Sequence, residues 1–162
     1  MLRDKTIKPA EARLRARLAS GSIARALASD IEGYRAQRAA MLRVLEELVV
    51  NRNWAELLGA AEEMNDARHK DDYESSLDTL EGLIRDVWML ALGSGEERIV
   101  NEDLHSELKR IAEQIDSRSP ARWISSIEEL REQLAVNINR KPATDALFLT
   151  MASATAIPNR ER

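Results

Sequence analysis

The stretch from Asp72 to Leu92 constrains the rest of the chain more than any other. Tyr73, Leu77, Leu80, Ile84, Val87 or Trp88, and Ala91 recur at steps of three and four, the spacing of one face of an α-helix. From Leu83 to Leu92 the segment is apolar nearly all round, and such a helix has to be surrounded by others. The remaining chain must therefore supply helices to cover it. Composition permits this: 44 % of the 162 residues are hydrophobic and 32 % charged, with only six glycines and four prolines, a profile of packed helices with charged outer faces. Alternating strand patterns are hard to find. The expected fold class is all-α, a helical bundle with Asp72–Leu92 as its central helix.

The flanking segments supply the cover. Pro9 opens a short helix with Leu14 and Leu18 inside, Ser20-Gly21-Ser22 stops it, and a second short helix carries Ile23, Ala26 and Leu27. Helices this short need tertiary contacts to persist. Ser29 or Asp30 can cap the next helix, whose inner side carries Ile31, Tyr34, Met41, Leu42, Leu45, Leu48 and Val49. Arg38 falls where that stripe would be apolar, so either the stripe is interrupted there or the arginine meets a partner. Asn51–Asn53 makes a turn, and Asn53 caps a helix bearing Trp54, Leu57, Leu58, Ala61 and Met64. Charges then take over from Asp66 to Asp72, as in a solvated connection.

Beyond the central helix, Gly93-Ser-Gly95 is a stop. Asn101 is expected to cap a helix with Glu102 and Asp103 in its first turn and a stripe of Leu104, Leu108, Ile111 and Ile115. Ser119 followed by Pro120 reads as a helix start, and Trp123, Ile127, Leu130, Leu134 and Ile138 share one face of that helix. Asn137 to Pro142 breaks it, since the residue before a proline is pushed out of the α region. A last helix carries Leu147, Phe148 and Met151, and the residues from about Ala152 onward read as a frayed tail.

Many chemistries have no footing here. Without cysteine there is no disulfide and no thiolate metal site. Neither GxxxxGK[S/T] nor GxGxxG occurs, so no phosphate cradle is signalled. A serine triad would have to use His69 or His105, and neither sits in a nucleophile motif. Glu102-x-x-His105, with Asp66-x-x-His69 as a degenerate second copy, imitates a di-iron bundle pattern, but those ligands project from mid-helix, whereas these lie at a helix start and in a charged connection. Each run of acids lies on a face that also carries Arg or Lys, so no buried acid–base pair is expected. No active site, metal, cofactor or small-molecule substrate is expected. No apolar run approaches the length of about 20 residues that spans a bilayer, and the chain reads as soluble and cytoplasmic. Residues 1–43 hold ten Lys or Arg against four acids, a net of +6 in a chain whose total is −4. Such a segment is a nucleic-acid contact, a solvated helix face or a surface for an acidic neighbouring domain; the absence of interleaved aromatics before Tyr34 disfavours the first.

Laid in order, these pieces resemble a known family. Ala16-Arg-Leu-Ala-Ser20-Gly21-Ser22-Ile-Ala-Arg25-Ala26-Leu27 resembles the end of the lid domain in bacterial clamp-loader subunits of the AAA+ class, where Gly-Ser-x-x-Arg-Ala-Leu is a frequent form of the second-sensor helix. The central helix with Trp88, the Val100-Asn101 start, Ser119-Pro-Ala-Arg122, and Asn137-x-Asn139 followed by Ala-x-x-Ala-Leu-Phe-Leu are similar to the C-terminal collar domain of delta-prime subunits of DNA polymerase III. The resemblance implies residues 1–29 as the end of a lid, 30–153 as a helical collar and 154–162 as a disordered tail. It implies a non-catalytic module that joins the motor and delta collar domains of a clamp loader in DNA replication, with no direct DNA contact by this fragment. Arg25 would be a vestigial second-sensor residue. Arg122, Trp123, Asn137, Asn139 and Arg140 are the residues expected at subunit contacts, because polar groups gather at that helix end beside unsatisfied carbonyls, and interface cores favour Trp and Arg; the alternative for the two asparagines is that they only end the helix.

Overall fold

A computed structural model describes residues 31–93 and 98–155. The two short helices expected before residue 30, Arg25 with them, lie outside the described residues, as do Ser94, Gly95 and the chain beyond Thr155. The chain divides into two compact units, residues 1–36 and 37–162. Of the first, only the opening turns of a helix are described, with an ion pair between Arg35 and Glu32 at 3.3 Å. The second unit holds the core.

Helix α1 spans Ile31–Glu46 and passes into a π-helical turn, Glu47–Asn51. Of the inner side expected from residue 41 onward, Met41, Leu45, Leu48 and Val49 are buried, joined by Val44, while Leu42 is half-buried against the core. The left-handed Arg52 (φ 53°) ends the turn, and Asn53 caps α2, Trp54–Met64, by accepting from the amides of Ala55 and Glu56 at 3.1 and 3.3 Å. Leu57, Ala61 and Met64 face inward. Trp54 and Leu58, expected on the same stripe, stand on its shoulder and are exposed. The charged run is a 3₁₀ turn, Ala67–Asp72, with no buried residue, capped by Asp66.

Helix α3, Tyr73–Ala91, is the central element. At about 28 Å it packs against both α4 and α5, and Leu77, Leu80, Leu83, Ile84 and Val87 are fully buried. Gly93 (φ +64°) lies just past its end in the conformation that a side chain rarely adopts. After a 3₁₀ turn, Glu102–Leu104, come α4 (His105–Ala112), α5 (Ser119–Ala135) and α6 (Arg140–Ala154). Helices α5 and α6 form a hairpin, and α6 also packs on α2. One cluster of buried side chains from these six helices fills the centre, and there is no strand among the described residues. The molecule is an all-α helical bundle.

Five local expectations are corrected. Ser119 is not a cap: it is the first residue of α5, and its hydroxyl donates to the carbonyl of Ala154 at 3.4 Å instead. Asn101 precedes its 3₁₀ turn without capping it, because its side chain is drawn into the core. The break after α5 opens at Asn137 (φ 67°), inside the expected Asn137–Pro142 stretch, but it closes at Asn139, before the proline. Lys141 stays helical because Pro142 falls in the first turn of α6, where the amide it lacks has no intrahelical acceptor. That earlier break turns Ile138 out of its expected stripe, and it is exposed. The last helix also continues through Ala152 to Ala154.

Candidate subunit interface

The hinge between α5 and α6 is built by two asparagines with different tasks. Asn137 takes the left-handed conformation that ends a helix when no glycine is present, and its amide donates to the carbonyl of Leu134 at 3.1 Å. Asn139, in extended backbone, accepts from the amide of Lys141 at 3.3 Å and so starts α6. Between and beside them the chain exposes apolar surface: Val136 is 75 % and Ile138 37 % accessible.

Arg140 is tied to the body of the bundle. Its guanidinium lies over the ring of Tyr73, 4.4 Å from the centroid, an arrangement favoured by the ring quadrupole. Nε donates to Asn65 Oδ1 at 3.0 Å, and Nη1 to the carbonyl of Lys70 at 3.3 Å. Beneath it, Thr144 Oγ1 donates to the carbonyl of Arg140 at 2.8 Å, accepts from Asn65 Nδ2 at 3.1 Å and lies 2.7 Å from the Tyr73 hydroxyl. The threonine's one proton is committed to the carbonyl, so Tyr73 is the donor in the last contact. Burial raises the Tyr73 pKa above its ordinary value against the opposing pull of Thr144 and Arg140.

The remaining expected contact residues do not join this group. Trp123 is 0 % exposed and its indole Nε1 donates to the carbonyl of Met151 at 3.1 Å, which makes it a core residue with no surface to offer. Arg122 stands in the first turn of α5, some fifteen residues or about 22 Å of helix from Asn137. The structure thus gathers Asn137, Asn139 and Arg140 and separates Arg122 from them.

Two further polar assemblies lie outside the expected contact residues. Asp86, in the most apolar part of α3, is 3 % exposed. Its Oδ1 accepts from the amide of Val100 at 3.0 Å, and its Oδ2 from the amide and side chain of Asn101 at 2.9 and 2.8 Å. Asn101 Oδ1 in turn accepts from Arg38 Nη1 at 3.1 Å, and Arg38 grips both oxygens of Asp103 through Nη1 and Nη2. The arginine that interrupts the α1 stripe therefore does meet a partner. On the other side, Arg131 of α5 reaches Asp78 at 2.6 Å, Glu81 at 2.7 Å and Glu74 at 3.7 Å on α3. Burial works against its charge, but the bond to Glu81 and the three acids raise its pKa. Each of these carboxylates is thus engaged in bonding one segment of the bundle to another. Among the described residues, no group of three or more His, Asp or Glu is placed to hold a metal ion, and no helix is long and apolar enough to cross a membrane.

The sequence model of a protein family described as "DNA polymerase III, delta subunit, C terminal" matches residues 33–143. The chain belongs to this family. The matched span of this delta-family domain holds the central helix, both polar assemblies and the whole hinge from Val136 to Arg140. It ends within the first turn of α6. The family is one of clamp-loader subunits of DNA polymerase III, in agreement with the class of protein that the sequence resembles. No curated protein and no solved structure matches the chain.

Proposed function

We propose that this chain is a non-catalytic assembly module, the collar of a delta-prime-like clamp-loader subunit, supporting sliding-clamp loading in DNA replication. The observation that carries the reading is the family match over residues 33–143. Two physical features support it. The carboxylates and arginines of both polar assemblies are engaged in tying helices together, as expected of a domain that holds shape rather than performs chemistry. The hinge, in contrast, combines exposed Val136 and Ile138 with polar Asn137 and Asn139, the mixture of apolar centre and polar rim that subunit contacts use. The partners are the helical domains of the motor and delta subunits. The delta-prime assignment rests on Ser119-Pro-Ala-Arg122 and on Asn137-x-Asn139 with the Ala-x-x-Ala-Leu-Phe-Leu that follows.

Native mass spectrometry of the chain mixed at micromolar concentration with the other clamp-loader subunits of the same cell tests this. A stable complex with one copy of this chain is expected. Free chains alone would refute the assembly role, and a complex that forms as well when authentic delta-prime already occupies its place would refute the delta-prime assignment.

A further inference from the structure

We propose that Arg140 is a carboxylate-binding residue of the subunit interface: it takes the side chain of an aspartate or glutamate on a neighbouring clamp-loader subunit, while an apolar residue of that subunit covers Val136 and Ile138. The inference rests on the assembly reading above and names the chemistry that the hinge receives. It starts from a guanidinium without a counter-charge. The partners of Arg140 are the ring of Tyr73, Oδ1 of Asn65 and the carbonyl of Lys70, all of them neutral. No carboxylate among the described residues forms an ion pair with it; Asp66 and Asp72 are turned to Arg68 and His69, and Asp145 to Lys141. The arginines that brace helices elsewhere differ in this respect, since Arg38 holds Asp103 and Arg131 holds Asp78 and Glu81.

The guanidinium is also open on one side. Nε and Nη1 are used, whereas Nη2 has no acceptor. It is not one of the buried polar atoms that lack a partner, so it faces solvent with both of its protons available. The stack on Tyr73 and the two bonds already hold the group still, and a carboxylate that meets it orders little further side chain. Such a bond is charge-assisted and directional. The surroundings select a carboxylate over a phosphate backbone. Val136 and Ile138 offer apolar surface within four residues of the arginine, which a protein partner covers and a nucleic-acid backbone does not. Asp71 and Asp72 on the adjoining turn and Glu132 on the helix that leads into the hinge are exposed. They repel a polyanion, whose binding needs several cations together, but leave room for one carboxylate on an apolar face.

The test uses the full chain and the remaining clamp-loader subunits of the same cell, purified as one complex, well below the melting temperature of each variant. Arg140→Gln removes the charge and is expected to raise Kd about tenfold or more in about 0.1 M salt. In about 1 M salt the loss should shrink to about threefold or less, because charge pairs are screened there. Arg140→Lys keeps the charge without the fork and should fall between the two. In that variant a carbodiimide, which joins an amine to a carboxylate touching it, is expected to crosslink position 140 to an Asp or Glu of a partner subunit, located by mass spectrometry. An unchanged Kd for Arg140→Gln, a loss equal at both salt concentrations, or crosslinks only to acids of this chain overturns this inference and leaves the assembly reading standing. So does binding of a fluorescent oligonucleotide that Arg140→Gln abolishes, which assigns the anion to phosphate. Failure of the unaltered chain to bind the complex overturns the assembly reading and this inference with it.

Discussion

Replacing Asp86 by asparagine tests whether the buried carboxylate, rather than apolar packing alone, holds the loop after α3 to the bundle. The change keeps the shape of the side chain and removes one acceptor. The two donors of Asn101 converge on Oδ2 and the Val100 amide on Oδ1. In Asp86→Asn the favourable rotamer of the new side chain keeps its oxygen towards Asn101 and turns its amide group against the Val100 amide, donor facing donor. Hydrogen bonds to a charged group contribute about 1.5–3 kcal/mol and neutral ones about 0.5–1.5, while a buried donor deprived of its acceptor costs about 1–3 kcal/mol. Two weakened bonds and one lost one would together cost about 4 kcal/mol; removal of a desolvated charge returns part of this. The net loss expected is about 2–3 kcal/mol, a large share of the stability of a domain this size.

Urea unfolding followed by circular dichroism at the helical minimum measures it. With a slope of about 2 kcal/mol per molar urea, the midpoint should drop by about 1–1.5 M. Amide exchange at Val100 and Asn101 should quicken first, since those are the groups released. Asp78→Asn is the control: Asp78 is an exposed partner of Arg131, and its loss should cost about 0.5 kcal/mol or less. If Asp86→Asn unfolds within about 0.5 kcal/mol of the unaltered chain, the reasoning that makes this carboxylate a structural anchor is refuted.

Three further outcomes follow from the same contacts. Because Tyr73 has a raised pKa, its stabilising contribution is complete below its ordinary value of 10.0 and is lost as pH rises through the raised folded value; melting temperature should therefore fall above about pH 10, and Tyr73→Phe should flatten that fall. Trp123→Ala should cost about 3–5 kcal/mol in the same urea titration through cavity formation and the lost bond to Met151, whereas Trp54→Ala, at a residue 49 % exposed, should stay within about 0.5 kcal/mol. Asn137→Gly should leave stability nearly unchanged because glycine accepts φ 67°, while Asn137→Val should lower it by about 1–2 kcal/mol, β-branched residues being poorly tolerated there.

Helices and core were legible because periodicity reports burial directly. Every apolar position expected on α3 up to Val87 is buried, and the stripes of α4 and α5 hold at Leu108, Ile111, Trp123, Ile127 and Leu130. What periodicity cannot report is how far around a helix the cover extends. Trp54 and Leu58 share the spacing of Leu57 and Ala61 but sit on the open shoulder of α2, where no neighbouring helix closes over them. Polar residues were harder for a different reason: their roles depend on what lies opposite. Asn101 has the sequence of a cap, and only its approach to Asp86, fifteen positions earlier, shows that its side chain is used elsewhere. A signal for Asp86 was present in the sequence, since a carboxylate within the segment Leu83–Leu92 has few ways to escape burial and must be met by donors. Arg38 gave the matching signal from α1, and pairing the two would have found the assembly. At the hinge, the break expected over Asn137–Pro142 does open at the left-handed Asn137, but Arg140 to Pro142 are helical, because a proline in the first turn costs a helix almost nothing.

Apolar burial has little directional preference, so a core of Leu, Ile and Met fixes which helices associate more firmly than it fixes where their ends point. Hydrogen bonds weaken steeply with misalignment and so set position at the ends. The distribution of polar groups in this domain follows that division. Arg38, Asp86, Asn101 and Asp103 anchor the loop at the C-terminal end of α3; Asn65, Tyr73, Arg140 and Thr144 anchor the turns at its N-terminal end. The apolar cluster lies between them. In an enzyme, fully satisfied polar networks of this kind would be expected around reacting groups, where geometry decides rate. Here they brace the turns at the two ends of α3, and on the function proposed above that keeps the edges of the domain in register before it meets another subunit.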